Sequence, residues 1–334
     1  MRYYKVIIDD ATSGKNLRTF TSLTSTGLNN PAALKIVMDI PEYSFNNPAG
    51  LAYIKLYGVD YTDLSQSSDY NGATVTVFGG MSRGLPLANP SQAGQITKGT
   101  VFQAFGNWQG TELTLDLIIK PLKGGISDPV NLTLDCAQGA SLTDAVKTAL
   151  TNAYKETIPN LSIQGSFGAN IVANQDFKHA IYNINDFSTY VFSASKSINK
   201  AANYLGATIV QRGNGFFLFD GTESSVTNKP TQINATDMIG NGTWTAYQAV
   251  NFKTVMRADL ALGNYILMPK NSNLRIGANT FTQFRNSVSF QNTFIIVQIR
   301  HVGDNKQPNA DSWCTIIDAV EQGSENFLVP PSFG

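Results

Sequence analysis

Phe294-Ile-Ile-Val-Gln-Ile-Arg300 alternates as a strand, runs into the polar loop opened by His301-Val-Gly-Asp304, and is followed by Trp313-Cys-Thr-Ile-Ile-Asp-Ala-Val320. This is the pattern of a β-hairpin with a long loop. A comparable unit lies near residue 110, where Gly99-Thr-Val-Phe-Gln-Ala-Phe105 leads through a loop carrying Trp108 to Glu112-Leu-Thr-Leu-Asp-Leu-Ile-Ile119. Two such units in one chain point to a structural duplication.

Working outward, residues 1–122 read as short strands: Tyr4 to Asp9, Ala33 to Ile40, Leu51 to Val59, Ala73 to Phe78, Val101 to Phe105 and Leu113 to Ile119. Ala52, Ile54 and Leu56 alternate with Tyr53, Lys55 and Tyr57, and this period of two predicts an antiparallel barrel or sandwich. Asn71-Gly72 is a turn dipeptide. Pro31, Pro41, Pro48, Pro86 and Pro90 are expected between strands, where a missing N–H costs no ladder bond.

The stretch Pro121 to Pro129 carries two prolines and two glycines and marks a domain boundary. Beyond it the character changes. Ser141 and Asp144 have capping-box spacing ahead of Leu142, Val146, Ala149, Leu150 and Ala153. A second helix, capped by Asp186 or Ser188, is expected to bury Phe187, Val191, Ala194, Ile198, Ala202 and Leu205 and to end before Gly206. Thr208–Val210 and Phe216–Phe219 then flank a turn at Gly213-Asn-Gly215. A polar run from Asp220 to Pro230 precedes a return to β pattern at Thr243 to Met256, Tyr265 to Met268, Phe294 to Val302 and Trp313 to Val320, with Pro330-Pro331 in an extended tail. The expected organisation is mainly β with an α+β middle domain: a β-barrel or sandwich domain over 1–122, an α+β connecting domain over 123–222, and a second β domain over 223–334.

Composition narrows the chemistry. The 334 residues carry 24 basic and 24 acidic side chains, only 14% charged, so no net field draws the protein to nucleic acid or an anionic membrane. The first ten residues lack the apolar run of roughly 7 to 15 that a signal peptide requires, which leads us to expect synthesis and folding in the cytoplasm with no membrane anchor. The sequons at Asn131, Asn160, Asn234 and Asn241 then carry no meaning. Cys136 and Cys314 are expected as independent buried thiols.

Of the two histidines, His301 is expected to mark the end of a strand and His179 an exposed helix edge or loop. Neither has partners at the spacing of a triad or zinc site. Glu112 and Asp116 project from the same strand face, and their separation fits a glycosidase pair, but solvated or interface-facing acids are commoner. Asp9, Asp10, Asp304 and Asp311 read as turn residues, because the oxygen-rich alternation of a calcium loop is absent. Gly213-Asn-Gly215 and Gly240-Asn-Gly242 are turns, with no phosphate-loop ending. Trp108 is expected to plug a barrel end or to make a subunit contact, in preference to stacking on sugar. No catalytic, cofactor-binding or metal residue is assigned.

Ile299-Arg-His-Val-Gly-Asp304 ahead of the Trp313 strand, together with Gly106-Asn-Trp108-Gln-Gly110 ahead of Leu113 to Ile119 and a break at Pro121, resembles the central baseplate hub proteins of contractile bacteriophage tails, the late control family. The order of β-rich start, mixed middle and β-rich end is similar as well. The resemblance implies a homotrimer with two tail-tube-like β-barrel domains per subunit. Six such domains would form a pseudo-sixfold ring, a symmetry adaptor between the hexameric tail tube protein and a trimeric spike protein. It implies other baseplate proteins and the tape measure protein as further partners, DNA only as passing cargo, no catalytic activity and no cofactor. The location implied is the virion tail baseplate, assembled in the host bacterial cytoplasm. Two alternatives stay open: a carbohydrate-binding or peptidoglycan-degrading tail component, and a hexameric distal tail protein with one barrel per subunit.

Overall fold

A computed structural model describes residues 1–42, 50–82, 89–121, 129–158, 160–168, 170–201, 204–212, 215–222, 229–246, 248–269, 290 and 292–322. The expected turn at Gly213-Asn214, most of the break before Pro129, much of the polar run after Asp220, Pro48, Pro86, Ala202 and the Pro330-Pro331 tail lie outside the described residues.

The first third contains β1 (Arg2–Asp9), β2 (Asn16–Thr21), β3 (Lys35–Glu42), β4 (Ala52–Tyr57), the short helix α1 (Tyr61–Ser65), β5 (Thr74–Met81), β6 (Gly94–Gln109) and β7 (Glu112–Lys120). In β4 the alternation holds, with Ala52, Ile54 and Leu56 fully buried. They join Tyr4, Val6, Ile8, Ile36, Val75, Val77, Leu115 and Leu117 in one apolar core. The paired strands are antiparallel, as the period of two predicts.

The middle contains β8 (Leu132–Cys136), α2 (Leu142–Tyr154), β9 (Ser162–Gly165), β10 (Phe177–Ile181), α3 (Ile184–Ile198), β11 (Thr208–Arg212) and β12 (Gly215–Phe219). Ser141 caps α2 by accepting the Asp144 N–H at 3.3 Å. The second cap falls elsewhere: Asn183 accepts the Asn185 N–H at 2.8 Å, which places Asp186 in the first turn and Ser188 buried inside the helix. α3 also stops at Ile198, so Leu205 and Gly206 lie beyond the helix, Gly206 at φ 99°. His179 lies exposed in β10 and stacks on Tyr190 of α3 with centroids 5.2 Å apart, so the expected helix edge or loop is a strand.

The last third contains β13 (Thr231–Gln232), β14 (Thr243–Ala246), β15 (Ala249–Val255), β16 (Tyr265–Leu267), β17 (Thr293–Asp304) and β18 (Trp313–Glu321). The single strand expected from Thr243 to Met256 is a hairpin, because the chain turns back through Gln248 at φ 60° and pairs Trp244 with Val250. Apolar alternation continues on both sides of that turn and hides it in the sequence. One face of this sheet holds Val250, Phe252, Phe294, Ile296, Ile299 and Ile317. Its other face receives the middle segment: Leu205 and Phe219 pack on Ala249, Tyr265, Ile295, Val297 and Val320.

The pairing of the last third repeats that of the first. In space the first runs β3-β4-β7-β6-β5-β1, with β2 added outside β1, and the last runs β14-β15-β18-β17-β16-β13. The correspondence reaches single residues. Val101 gives its carbonyl to the Gly72 N–H and its N–H to the Ala73 carbonyl, each at 2.8 Å, and Ile296 does the same with Gly263 (2.8 Å) and Asn264 (3.0 Å). Gly72 and Gly263 both have positive φ, 82° and 74°, which favours glycine at each turn. Just beyond, both long strands carry a bulge, at Val101/Gln103 in β6 and Ile296/Gln298 in β17. One difference stands: β1 pairs β5 antiparallel, whereas β13 pairs β16 in parallel.

These two units are hydrogen-bonded to each other. Val37–Glu42 of β3 pairs antiparallel with Asp304–Ile299 of β17, making one sheet of 13 strands among the described residues, its main path ending at β14 and β2.

Candidate functional site

The β3–β17 seam is the structural centre of the molecule. On its outer face Arg300 grips Asp39 through two hydrogen bonds, 2.7 and 2.5 Å, and Lys35 meets Asp304 at 3.3 Å. On its inner face His301 stands inside β17 at 1% exposure, opposite Ile40 and Thr315, so it does not end the strand. Its Nδ1 lies 3.0 Å from Thr315 Oγ1, and burial pushes its pKa down to about 4. A histidine shut off in this way is neutral and has no access to a substrate.

Three further contacts tie the thirds together. Trp313, buried at the start of β18, donates its indole N–H to the Gly80 carbonyl of β5 at 2.9 Å. The Arg2 guanidinium donates to the carbonyls of Asp304 and Asn309 at 2.7 Å each, and also to that of Gln307. Arg257, buried after β15, sits 2.6 Å from Asp259 and 3.5 Å from Asp237, and Asp237 accepts a bond at 3.1 Å from the Gln92 amide of the first third. A buried guanidinium requires such partners, since an unpaired charge in the interior is prohibitively desolvated. Arg2, Asn29, Met81, Ile239, Lys306 and Trp313 line a cavity of about 680 Å³ between the units.

The carboxylates separate by environment. Asp116 is 2% exposed on the outer face of β7, where Lys55 lies 3.4 Å away, Asn107 donates at 3.2 Å and the Tyr53 hydroxyl donates in a very short bond. Glu112 is exposed at the start of the strand. The expectation of two matching surface acids fails for Asp116 because the long side chains of neighbouring strands close over it. Asp10 and Asp304 are turn residues: Asp10 accepts from the Thr12 and Ser13 N–H groups, Asp304 from those of Lys306 and Gln307. Cys136 and Cys314 are both buried thiols. Among the described residues no group of three His, Cys, Asp or Glu could hold a metal ion, and no helix is long and apolar enough to cross a membrane.

Three exposed aromatic side chains lie on β6, at its bulge and beyond it, with exposed Tyr61 of α1 beside them. Phe102 is 50% exposed, Phe105 37% and Trp108 65%. Trp108 belongs to the strand, which continues to Gln109 before the two-residue turn at Gly110-Thr111, so it lies on no loop and plugs no barrel. It meets Tyr61 of α1 edge to face with centroids 6.4 Å apart, and its indole donates to the Gly110 carbonyl at 2.8 Å. Sequence reasoning singled out Trp108 but not Phe102 and Phe105. Phe102 is the unpaired residue of the bulge after Val101, and Phe105 faces outward because that bulge shifts the alternation.

No protein-family model matches the chain, and no curated protein matches it. Solved structures do. The tail protein from Neisseria meningitidis MC58 is similar with a TM-score of 0.50 and 11% identity, covering 96% of this chain and 97% of that one. The 43 kDa tail protein of prophage MuSo2 from Shewanella oneidensis gives 0.53 at 7% identity, covering 100% of both chains. A Francisella PdpA-VgrG complex gives 0.46 at 6% identity, too loose a likeness to argue from. The chain thus has the fold of these tail proteins along its full length.

Proposed function

We propose that this chain is a structural, non-enzymatic subunit of a phage tail baseplate: a hub that forms a trimer, presents six similar β units as a pseudo-sixfold ring, and adapts a hexameric tail tube to a trimeric spike. The domain division that goes with this reading is a tube-like unit over 1–122, a connecting domain over 123–222 and a second tube-like unit over 223–334. The observation that carries it is the repeated pairing of the first and last thirds, joined through β3 and β17 in one sheet. A chain holding two equivalent units reaches six positions with three copies, whereas a distal tail protein with one unit per chain would need six. The shared fold with two tail proteins supports placement in a tail. Sedimentation equilibrium and electron microscopy of the purified protein test the reading: a three-fold ring with six lobes is expected, and a stable monomer at every concentration overturns it.

A further inference from the structure

The contact already made inside the chain specifies the contact between chains. At the seam, the outermost strand of the first unit, β3, pairs with the half of β17 that lies beyond the bulge and beyond the reach of β16. The equivalents are β14, which ends the sheet, and the half of β6 beyond its bulge, past the last residues paired to β5. The end of that half, from Gly106 to Trp108, is an edge with no strand beside it among the described residues, with Leu64 of α1 abutting Gly106 on one face. The two-residue turn makes Gln109 and Glu112 a hydrogen-bonded pair, so the peptide groups of residues 104, 106 and 108 point away from β7. Asn71 takes the Ala104 N–H at 2.7 Å, and the peptide groups of Gly106 and Trp108 have no partner on that side among the described residues. Within one chain six strands lie between β14 and β6, and no pairing joins the two among the described residues, which leaves a second molecule to bring them together.

We propose that β14 of one subunit adds as an antiparallel strand to the open edge of β6 in the next, with a second copy of this chain as the occupant. The register follows from the repeat. Ile40 stands opposite His301 and Pro41 opposite Arg300; carrying those pairs across through Tyr53↔Asp39 and Asn251↔Thr243 sets Trp244 opposite Gly106 and Thr245 opposite Phe105. The head-to-tail contact is heterologous, so it builds a ring where the rotation closes. It covers an exposed strand edge that would otherwise be an aggregation hazard. The proposal rests on the ring-forming reading above and adds which strands meet.

The test mixes full-length Phe105→Cys with full-length Thr245→Cys under mild oxidation, with each variant alone and the pair Leu17→Cys and Thr245→Cys as controls. Leu17 lies on β2, the other end of the sheet. Directly opposed strand residues fall within disulfide reach, so the Phe105/Thr245 mixture is expected to give a covalent dimer at about tenfold or more over the controls. Both cysteines in one chain should give a ladder ending at three. A ladder that closes at another number keeps the β14–β6 contact and removes the trimeric hub. A trimer with no cross-link at this pair, or a cross-link at Leu17 instead, keeps the hub and overturns the contact. Circular dichroism of each variant confirms folding; Phe105 is exposed and Thr245 partly so.

Discussion

The indole N–H of Trp313 reaches the carbonyl of Gly80 across 233 positions of sequence, 2.9 Å away and buried. It fastens the start of β18 to β5, and Gly303, paired with Trp313, leaves room for the ring: a Cβ there would lie 2.7 Å from both Met38 and the indole.

Replacing Trp313 with Phe keeps most of the apolar volume but leaves the Gly80 carbonyl without its donor. We expect a loss of roughly 1–3 kcal/mol, measured as a lower urea midpoint with an unchanged slope.

Gly303→Ala tests the space itself. Backbone strain is not involved, so the expected loss of about 1–3 kcal/mol comes from overpacking alone. Met38→Ala is itself costly at a buried position, but the double variant Gly303→Ala, Met38→Ala should cost less than the sum of the two single losses because one of the two collisions is gone; a purely additive result in denaturant melts would show that the collision is not what costs stability.

His301 titrates against folding. Its folded pKa of about 4 lies below the unfolded value of 6.5, so the unfolded chain binds the proton first as pH falls. The stabilisation is fully present above pH 6.5 and is lost between there and pH 4, with a ceiling on the order of 3 kcal/mol. Asp318, whose carboxyl is pushed up by burial despite the Asn251 hydrogen bond, acts with the opposite sign and is common to both proteins in the comparison. The stability difference between wild type and His301→Gln should therefore rise with pH over that window and stay flat above it. A difference independent of pH would show that folding leaves the His301 pKa unshifted.

Arg257→Met removes the positive member of a buried cluster and leaves Asp237 facing the interior. We expect roughly 3–5 kcal/mol of destabilisation, the usual cost of orphaning one member of a buried ion pair. Asp259→Asn should cost less, because Asp259 is partly exposed and Asp237 remains beside the guanidinium. Equal losses in chemical denaturation would rule out the cluster as described.

Much of the β pattern is legible in the sequence where one face is buried and the other wet: β1 and β4 alternate, and their buried residues are apolar, whereas in β7 and the first half of β17 both faces are covered. β2 escapes notice because Phe20 alone is deeply buried in Asn16–Thr21, too little for a period to register. Asn183 does not stand out as a cap because Asp186 and Ser188 offer the same chemistry a turn later, and only the backbone decides among them. The seam is invisible for a different reason. Periodicity reports which face of a strand is covered and carries nothing about which distant strand lies alongside, so neither Ile40 nor His301 announces the other. The candidate surface was half legible: Trp108 stands out as an aromatic, while the outward turn of Phe105 depends on a bulge that no residue type signals.

The partnership of β3 with β17 also dictates timing. During translation the flank of β3 emerges long before residues 299–304 exist to occupy it, so a nascent chain carries an unpaired backbone ribbon through most of its synthesis. Long-range closure of this kind slows maturation. Truncated products ending before β17 should therefore precipitate or recruit holdase chaperones, while the completed polypeptide escapes both.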